Sequence, residues 1–168
     1  MRNLGILVVL IFMASCQQDK IGFVDNVKLI DGYQEKLDVE GKFNKKAETL
    51  TKKRDSISQA IQLELQAFQT KAQSMSQKKA QEEYNVLQQR SQFIGQQLQQ
   101  EQQQLQQTGQ AELDSVITKV RDEVKAYGEA NGYSFILGEG QGGAVLFGKA
   151  EKDLTDEILK ILNDKYKK

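Results

Sequence analysis

A run of nearly one hundred residues without a proline constrains this chain more than any other feature. It covers residues 34–131 and is rich in Gln, Lys, Glu and Ala. Proline breaks helices because it lacks an N–H donor and its ring clashes with the preceding turn, whereas these four residues lose little side-chain entropy in a helix. A single helix of this length would extend roughly 150 Å at about 1.5 Å per residue. The run therefore predicts two helical arms in an antiparallel hairpin, with its tip at about residues 73–79.

The apolar residues of each arm form one narrow stripe, called the seam here. The first arm places at the seam Phe43, Ala47, Leu50, Ile57, Ile61, Leu65, Phe68, Ala72 and Met75. The second arm places there Tyr84, Leu87, Ser91, Ile94, Leu98, Glu101, Leu105 and Thr108. A seam this thin buries one partner helix and leaves the other faces in water, as in a coiled coil. Gly95 and Gly109 predict that the packing is weak.

Short β-forming segments flank the arms and predict an α+β fold. They are residues 21–24, 133–137 and 144–147, with a helix stop at Asn131-Gly132 and a last helix capped by Asp153 or Thr155. This body takes residues 20–33 and 132–168. Three short strands cannot form a stable sheet alone, so the body should complete itself by oligomerising. The residues expected to form the oligomeric body are Ile21, Phe23, Val24, Phe135, Leu137, Val145, Phe147, Ile158 and Leu162.

The first fifteen residues are typical of a secretory signal peptide. Arg2 precedes an apolar stretch, residues 4–12, that is too short to span a bilayer. Cys16 is the only cysteine, so it cannot close a disulfide within the chain, and it follows small residues as in a bacterial lipobox. We interpret 1–15 as a lipoprotein signal and Cys16 as the lipidated first residue of the mature protein. Cleavage after Ala14 or Ser15 without lipidation is the alternative.

The charge of the chain is balanced overall but uneven along its length. The 23 basic and 23 acidic residues become 22 and 23 once Arg2 is removed with the signal. No general attraction to nucleic acid follows from this balance. Residues 42–90 nevertheless carry ten basic against five acidic residues, a net charge of +5. This excess favours attraction to acidic polypeptides or an anionic membrane, unless it is ordinary solvated helix surface.

No residue pattern predicts catalysis, a metal site or a cofactor. The chain has no histidine, and its single cysteine is expected to carry lipid. Residues 143–150, GAVLFGKA, imitate a phosphate-binding loop of the form GxxxxGK[ST]. The imitation fails because its middle is β-forming and apolar and its last residue, Ala150, has no hydroxyl for magnesium. The sequence does not predict an enzyme, and an exported chain has no ATP to use.

Three segments in this order resemble the Skp (OmpH-like) periplasmic chaperones. They are residues 20–25, KIGFVD, residues 131–137, NGYSFIL, and residues 153–159, DLTDEIL, separated by the long arms. The resemblance extends over about residues 20–164. It implies a homotrimer in which short strands form a shared β-barrel-like body and three helical hairpins project around a cavity.

The resemblance also implies an ATP-independent holdase that keeps unfolded outer-membrane proteins in that cavity. The arm residues that the seam leaves available for such contacts are Lys45, Lys46, Lys52, Lys53, Lys71, Lys78, Lys79 and Phe93. This chain departs from the best-known members, which are strongly basic and soluble. A lipid-anchored coiled-coil spacer of the cell envelope is the alternative function, and it requires continuous, rigid seams.

Overall fold

A long helical hairpin and a two-stranded sheet make up the fold. The computed structural model describes residues 19–140 and 142–167. In chain order these form strand β1 (Ile21–Asp25), helix α1 (Asn26–Gly32), helix α2 (Gln34–Ala72), helix α3 (Gln77–Ala130), strand β2 (Phe135–Glu139), a 3-10 turn (Ala150–Lys152) and helix α4 (Thr155–Tyr166). The predicted combination of long helices with a small sheet is confirmed. The signal peptide and Cys16 lie outside the described residues.

The chain divides into two compact units. The sheet unit comprises the chain up to Glu35 and from Ile117 onward, and the hairpin unit comprises Lys36–Val116. The buried apolar side chains of the sheet unit are Phe23, Val24, Leu29, Tyr33, Val120, Tyr127, Leu154, Ile158 and Leu162.

Strands β1 and β2 pair in parallel, from Ile21 opposite Phe135 to Asp25 opposite Glu139. The predicted helix stop before β2 is confirmed, because Gly132 has a φ of 68° and the N–H of Tyr133 donates to the Gly128 carbonyl at 2.9 Å. This bond is characteristic of a Schellman cap. Strand β2 begins two residues later than predicted, since the Tyr133 N–H closes the helix and is not available to a strand.

The predicted third strand at residues 144–147 is wrong. Only Val145 forms a bridge, to Glu139. The chain reaches this point through a tight turn in which Gly140 and Gly142 have φ values of 92° and 79°, and the N–H of Gly143 donates to the Gly140 carbonyl at 2.9 Å. The turn brings only one residue beside β2. The rest of the segment has no strand to pair with among the described residues, and its apolar side chains are left exposed.

Helix α4 begins differently from the prediction. Leu154 occupies the N-cap position without a side-chain capping bond, and the carboxylate of Asp153 instead accepts the Thr155 N–H at 2.9 Å. Thr155 is fully buried, and its hydroxyl accepts the N–H of Asp25 at 2.8 Å. Thr155 therefore joins the end of β1 to the start of α4 and does not act as a cap.

A second polar side chain of α4 bridges the break between α1 and α2. Asn163 accepts the N–H of Gln34 at 2.8 Å and donates to the carbonyl of Gly32 at 3.2 Å. The residue between these two, Tyr33, is buried and donates its hydroxyl to Glu35 at 2.6 Å. Burial, and then the carboxylate of Glu35, raise the pKa of Tyr33 above its ordinary value. These contacts satisfy the backbone groups that the helix break leaves unpaired.

In the hairpin unit α2 and α3 run antiparallel. Three ion pairs join the helices, and their α3 partners follow one another along the chain while their α2 partners run backwards: Lys71 with Glu83 at 3.3 Å, Glu64 with Arg90 at 2.8 Å and Lys53 with Glu101 at 2.6 Å. The helices are separated by residues 73–76, where Ser76 accepts the N–H of Lys79 at 3.4 Å, the bond of an N-cap. Ser74 instead donates back to the Lys71 carbonyl at 2.9 Å.

The seam follows the predicted positions except at three places. Glu64 is half-buried where Leu65 was expected, and Glu83 is half-buried where Tyr84 was expected. Gly109 is buried where Thr108 was expected. A Cβ atom on Gly109 would lie 2.6 Å from Cδ2 of Phe43. Gly109 therefore makes room for an aromatic ring, and the packing here depends on this glycine.

Candidate binding surfaces

The nine residues predicted to form an oligomeric body differ in how far the chain itself covers them. Phe23, Val24, Ile158 and Leu162 are buried within the chain's own core. Val145 is half-buried, and the exposed members are Ile21, Phe135, Leu137 and Phe147. The sequence shows which residues are apolar and periodic, but it does not show which ones the chain itself covers.

Ile21, Phe135 and Leu137 share one face of the sheet, and together with the exposed Leu146 and Phe147 of the following segment they are called the sheet patch here. In-register pairing places Ile21 beside Phe135 and Phe23 beside Leu137, so all four side chains project to the same side. Gly148 lies against the ring of Phe23, so the segment that carries Leu146 and Phe147 passes close to this face. Leu146 is 97% exposed and Phe147 is 85% exposed. Large apolar side chains exposed together are typical of an interaction surface.

A groove of about 710 Å³ lies beside β2 within the sheet unit. Its apolar lining comes from strand, α1 and α3 residues and includes Leu29, Val120, Val124, Phe135 and Ile136. Because Phe135 belongs to both the groove and the sheet patch, the two surfaces adjoin. Phe135 was predicted from the sequence, but the groove was not, because it depends on side chains more than one hundred residues apart in the chain.

The eight predicted contact residues of the arms all lie on exposed helix surface. Lys52 pairs with Glu48 at 2.5 Å, Lys53 with Glu101 and Lys71 with Glu83. The other four lysines form no ion pair within the part of the chain that the structure describes: Lys45, Lys46, Lys78 and Lys79. The unpaired positive charge is thus concentrated at the tip of the hairpin unit and in one turn of α2.

Phe93 is 66% exposed, and two further apolar side chains that were not predicted from the sequence are exposed to a similar extent. Leu63 is 66% exposed and Val86 is 64% exposed. Val86 and Phe93 are seven residues apart on α3 and therefore share one helix face. Val86 also borders a groove of about 430 Å³ that includes Phe68 and the Glu64–Arg90 pair. Val86 could have been predicted from the sequence because it lies seven residues before Phe93 and, like Phe93, does not belong to the seam.

The segment that imitates a phosphate-binding loop has a different structure. A phosphate-binding loop opens a helix whose N-terminal amides face the phosphates. Here the residues after Gly143 form no helix and lead into the short 3-10 turn Ala150–Lys152. Within residues 19–140 and 142–167, no group of three or more His, Cys, Asp or Glu side chains could hold a metal ion. None of the helices described is both long and apolar enough to cross a membrane.

Comparison with known proteins gives a family and a fold. The sequence model of the family described as outer membrane protein (OmpH-like) matches residues 20–162. No curated protein sequence matches significantly. Among solved structures, a proposed outer membrane chaperone (OmpH-like) from Caulobacter crescentus CB15 superimposes with a TM-score of 0.77 and 16% identity, covering 88% of this chain and 85% of the other. At this identity the likeness establishes the fold.

Proposed function

The chain belongs to the OmpH-like family of outer membrane proteins, and we propose that it is a periplasmic holdase chaperone. It binds unfolded outer-membrane proteins without ATP, keeps them from aggregating and releases them unchanged. The family and the fold shared with the Caulobacter protein support a chaperone role. No catalytic group or cofactor is needed for this activity, because holding a chain in solution requires binding alone.

The observation that carries the proposal is the mixed surface of the hairpin unit. Leu63, Val86 and Phe93 expose about two thirds of their surface in a unit that also exposes unpaired lysines. Exposed apolar side chains bind the apolar segments of an unfolded chain, and lysines attract its acidic ones. Each contact is weak, and many weak contacts together give capture with easy release.

The active form in this proposal is a homotrimer that encloses a cavity between its arms. The sheet patch leaves Phe135, Leu146 and Phe147 exposed in the single chain. Burial of this patch between copies would remove its exposed apolar side chains from water. A lipid on Cys16 would hold the trimer at a membrane of the envelope, with its clients on the periplasmic side.

Sedimentation equilibrium of residues 17–168 tests the proposal, first alone and then with a urea-diluted outer-membrane β-barrel protein. We expect a trimer that keeps the client soluble in a discrete complex. A trimer that leaves the client to aggregate would favour the alternative function, an envelope spacer. A monomer would contradict the assembly as well as the enclosed cavity.

A further inference from the structure

The hairpin unit has a long open groove along one side of the α2–α3 pair. It consists of two adjoining stretches of about 560 and 450 Å³. Both are lined by Phe43 and Gln106, so they form one continuous groove. Along α2 it extends from Val39 to Arg54, about 22 Å at about 1.5 Å per residue. The apolar floor is formed by Phe43, Ala47, Leu50, Leu98, Leu105 and Leu113.

One wall of the groove is built from glutamine, and we call the whole feature the glutamine groove. Gln99, Gln102 and Gln106 line it; their spacing of three and four residues places them on one face of α3. Nine of the twelve residues from 96 to 107 are glutamine, and these three alone among the nine line the groove. Their amides form no hydrogen bond to another residue of the described chain. Each amide therefore offers a donor and an acceptor to a ligand.

The glutamine groove is electrically neutral between its ends. Its only charged lining residues are Glu40, paired with Lys36 at 2.9 Å, and Arg54, 3.8 Å from Asp55. The neighbouring groove over the same stretch of hairpin is instead cationic and is lined by Lys45, Lys46 and Lys53. A neutral wall that hydrogen-bonds complements a ligand that is polar and uncharged.

We propose that the glutamine groove holds an extended segment of unfolded polypeptide by its backbone; this inference rests on the proposed function and assigns it a site. The backbone presents an N–H and a C=O at every residue whatever the sequence, which is the pattern that glutamine amides match. About 22 Å accommodates six or seven extended residues at about 3.3 Å each. Strands of outer-membrane barrels alternate apolar and polar side chains, so such a segment places its apolar side on the floor.

The test compares two triple variants of the full mature protein. The groove variant is Q99A/Q102A/Q106A, and the matched control is Q100A/Q103A/Q107A, which removes as many amides from the same tract outside the groove. Alanine favours helix, so neither variant threatens the fold. The probe is a fluorescent, urea-diluted outer-membrane β-barrel protein, titrated at low and high salt.

The groove variant is expected to bind the probe at least about fivefold more weakly, the worth of one neutral hydrogen bond. The loss should be the same at both salt concentrations, because no charge is removed, and the control should bind as the unsubstituted protein does. Equal affinities of groove variant and control would overturn the inference while leaving the holdase function standing. Failure of the unsubstituted protein to bind the probe would overturn both.

Photo-crosslinking gives a second measurement that does not depend on the variants. A benzophenone side chain at Gln102 should crosslink to the bound probe, and one at Gln103 should not. Crosslinks from position 102 to a second copy of the chain, with none to the probe, would show that the groove is a contact between copies and would overturn the inference.

Discussion

Among single residues, Thr155 connects parts of the sheet unit that are far apart in the chain. It is fully buried, and its hydroxyl accepts the N–H of Asp25, 130 positions earlier in the chain. The sequence indicated that Asp153 or Thr155 marks the start of a helix. It could not indicate that the Thr155 hydroxyl accepts the N–H of Asp25, because only the packing of α4 against β1 brings these two groups together.

Replacement of Thr155 by valine tests this connection. Valine has nearly the same shape but no hydroxyl, so the N–H of Asp25 loses its partner, and we expect the free energy of unfolding to fall by about 1–3 kcal/mol. Urea unfolding followed by circular dichroism measures the change. The control is Thr70→Val, an exposed threonine whose hydroxyl bonds only to the Gln66 carbonyl of its own helix; it should change stability by less than about 0.5 kcal/mol. Equal effects of the two substitutions would contradict the role of Thr155.

At the scale of elements, the helices were predictable and the third strand was not. Absence of proline and a regular seam determine α2 and α3 locally, and Gly132 ends α3 where its sequence suggested. Residues 144–147 have the composition of a strand, but a strand needs a neighbour. Whether one is present depends on how Gly140 and Gly142 turn the chain, and composition does not specify that geometry.

Two glycines of α3 should respond in opposite ways to alanine. Gly95 has nothing within 4 Å of its missing Cβ, so Gly95→Ala should stabilise the hairpin by about 0.8–1 kcal/mol through helix propensity. At Gly109 the new methyl group meets the ring of Phe43, and overpacking costs about 1–3 kcal/mol. Gly109→Ala should therefore be the less stable of the two by about that amount in thermal unfolding. Equal stabilisation by both would mean that the ring of Phe43 moves aside freely.

At the scale of the whole molecule, the sequence predicted a chain that is incomplete alone. It identified apolar residues for an assembly surface, and the structure leaves Phe135 and Phe147 exposed while Phe23 and Ile158 are buried. Alternation along a strand gives the face of each residue, but which face the chain covers depends on distant segments. The glutamine tract was likewise visible as composition, and only the pairing of α2 with α3 separates the amides that line the groove from the rest.

Replacement of Phe135 by aspartate should produce monomers. Phe135 is 58% exposed in the single chain, so a charge is tolerated there until a second copy covers it, when burial of the unpaired carboxylate becomes costly. Sedimentation equilibrium measures the association. Phe93→Asp in the hairpin unit is the control, and it should leave the oligomeric state unchanged. A trimer of Phe135→Asp as tight as the unsubstituted one would show that assembly uses another surface.

The pairing of β1 with β2 also has a consequence for how the molecule folds. Ile21 and Phe135, which lie opposite each other in the sheet, are 114 positions apart, whereas the contacts of the hairpin near its turn are between close neighbours in sequence. Local contacts form quickly and distant pairings slowly, because more of the chain must be ordered before the ends meet. The hairpin should thus form from its turn outward. Strand β1 should remain unpaired until β2, in the last quarter of the chain, is available. During that interval the first strand of this protein is itself an unpaired, aggregation-prone segment of the kind that chaperones shield.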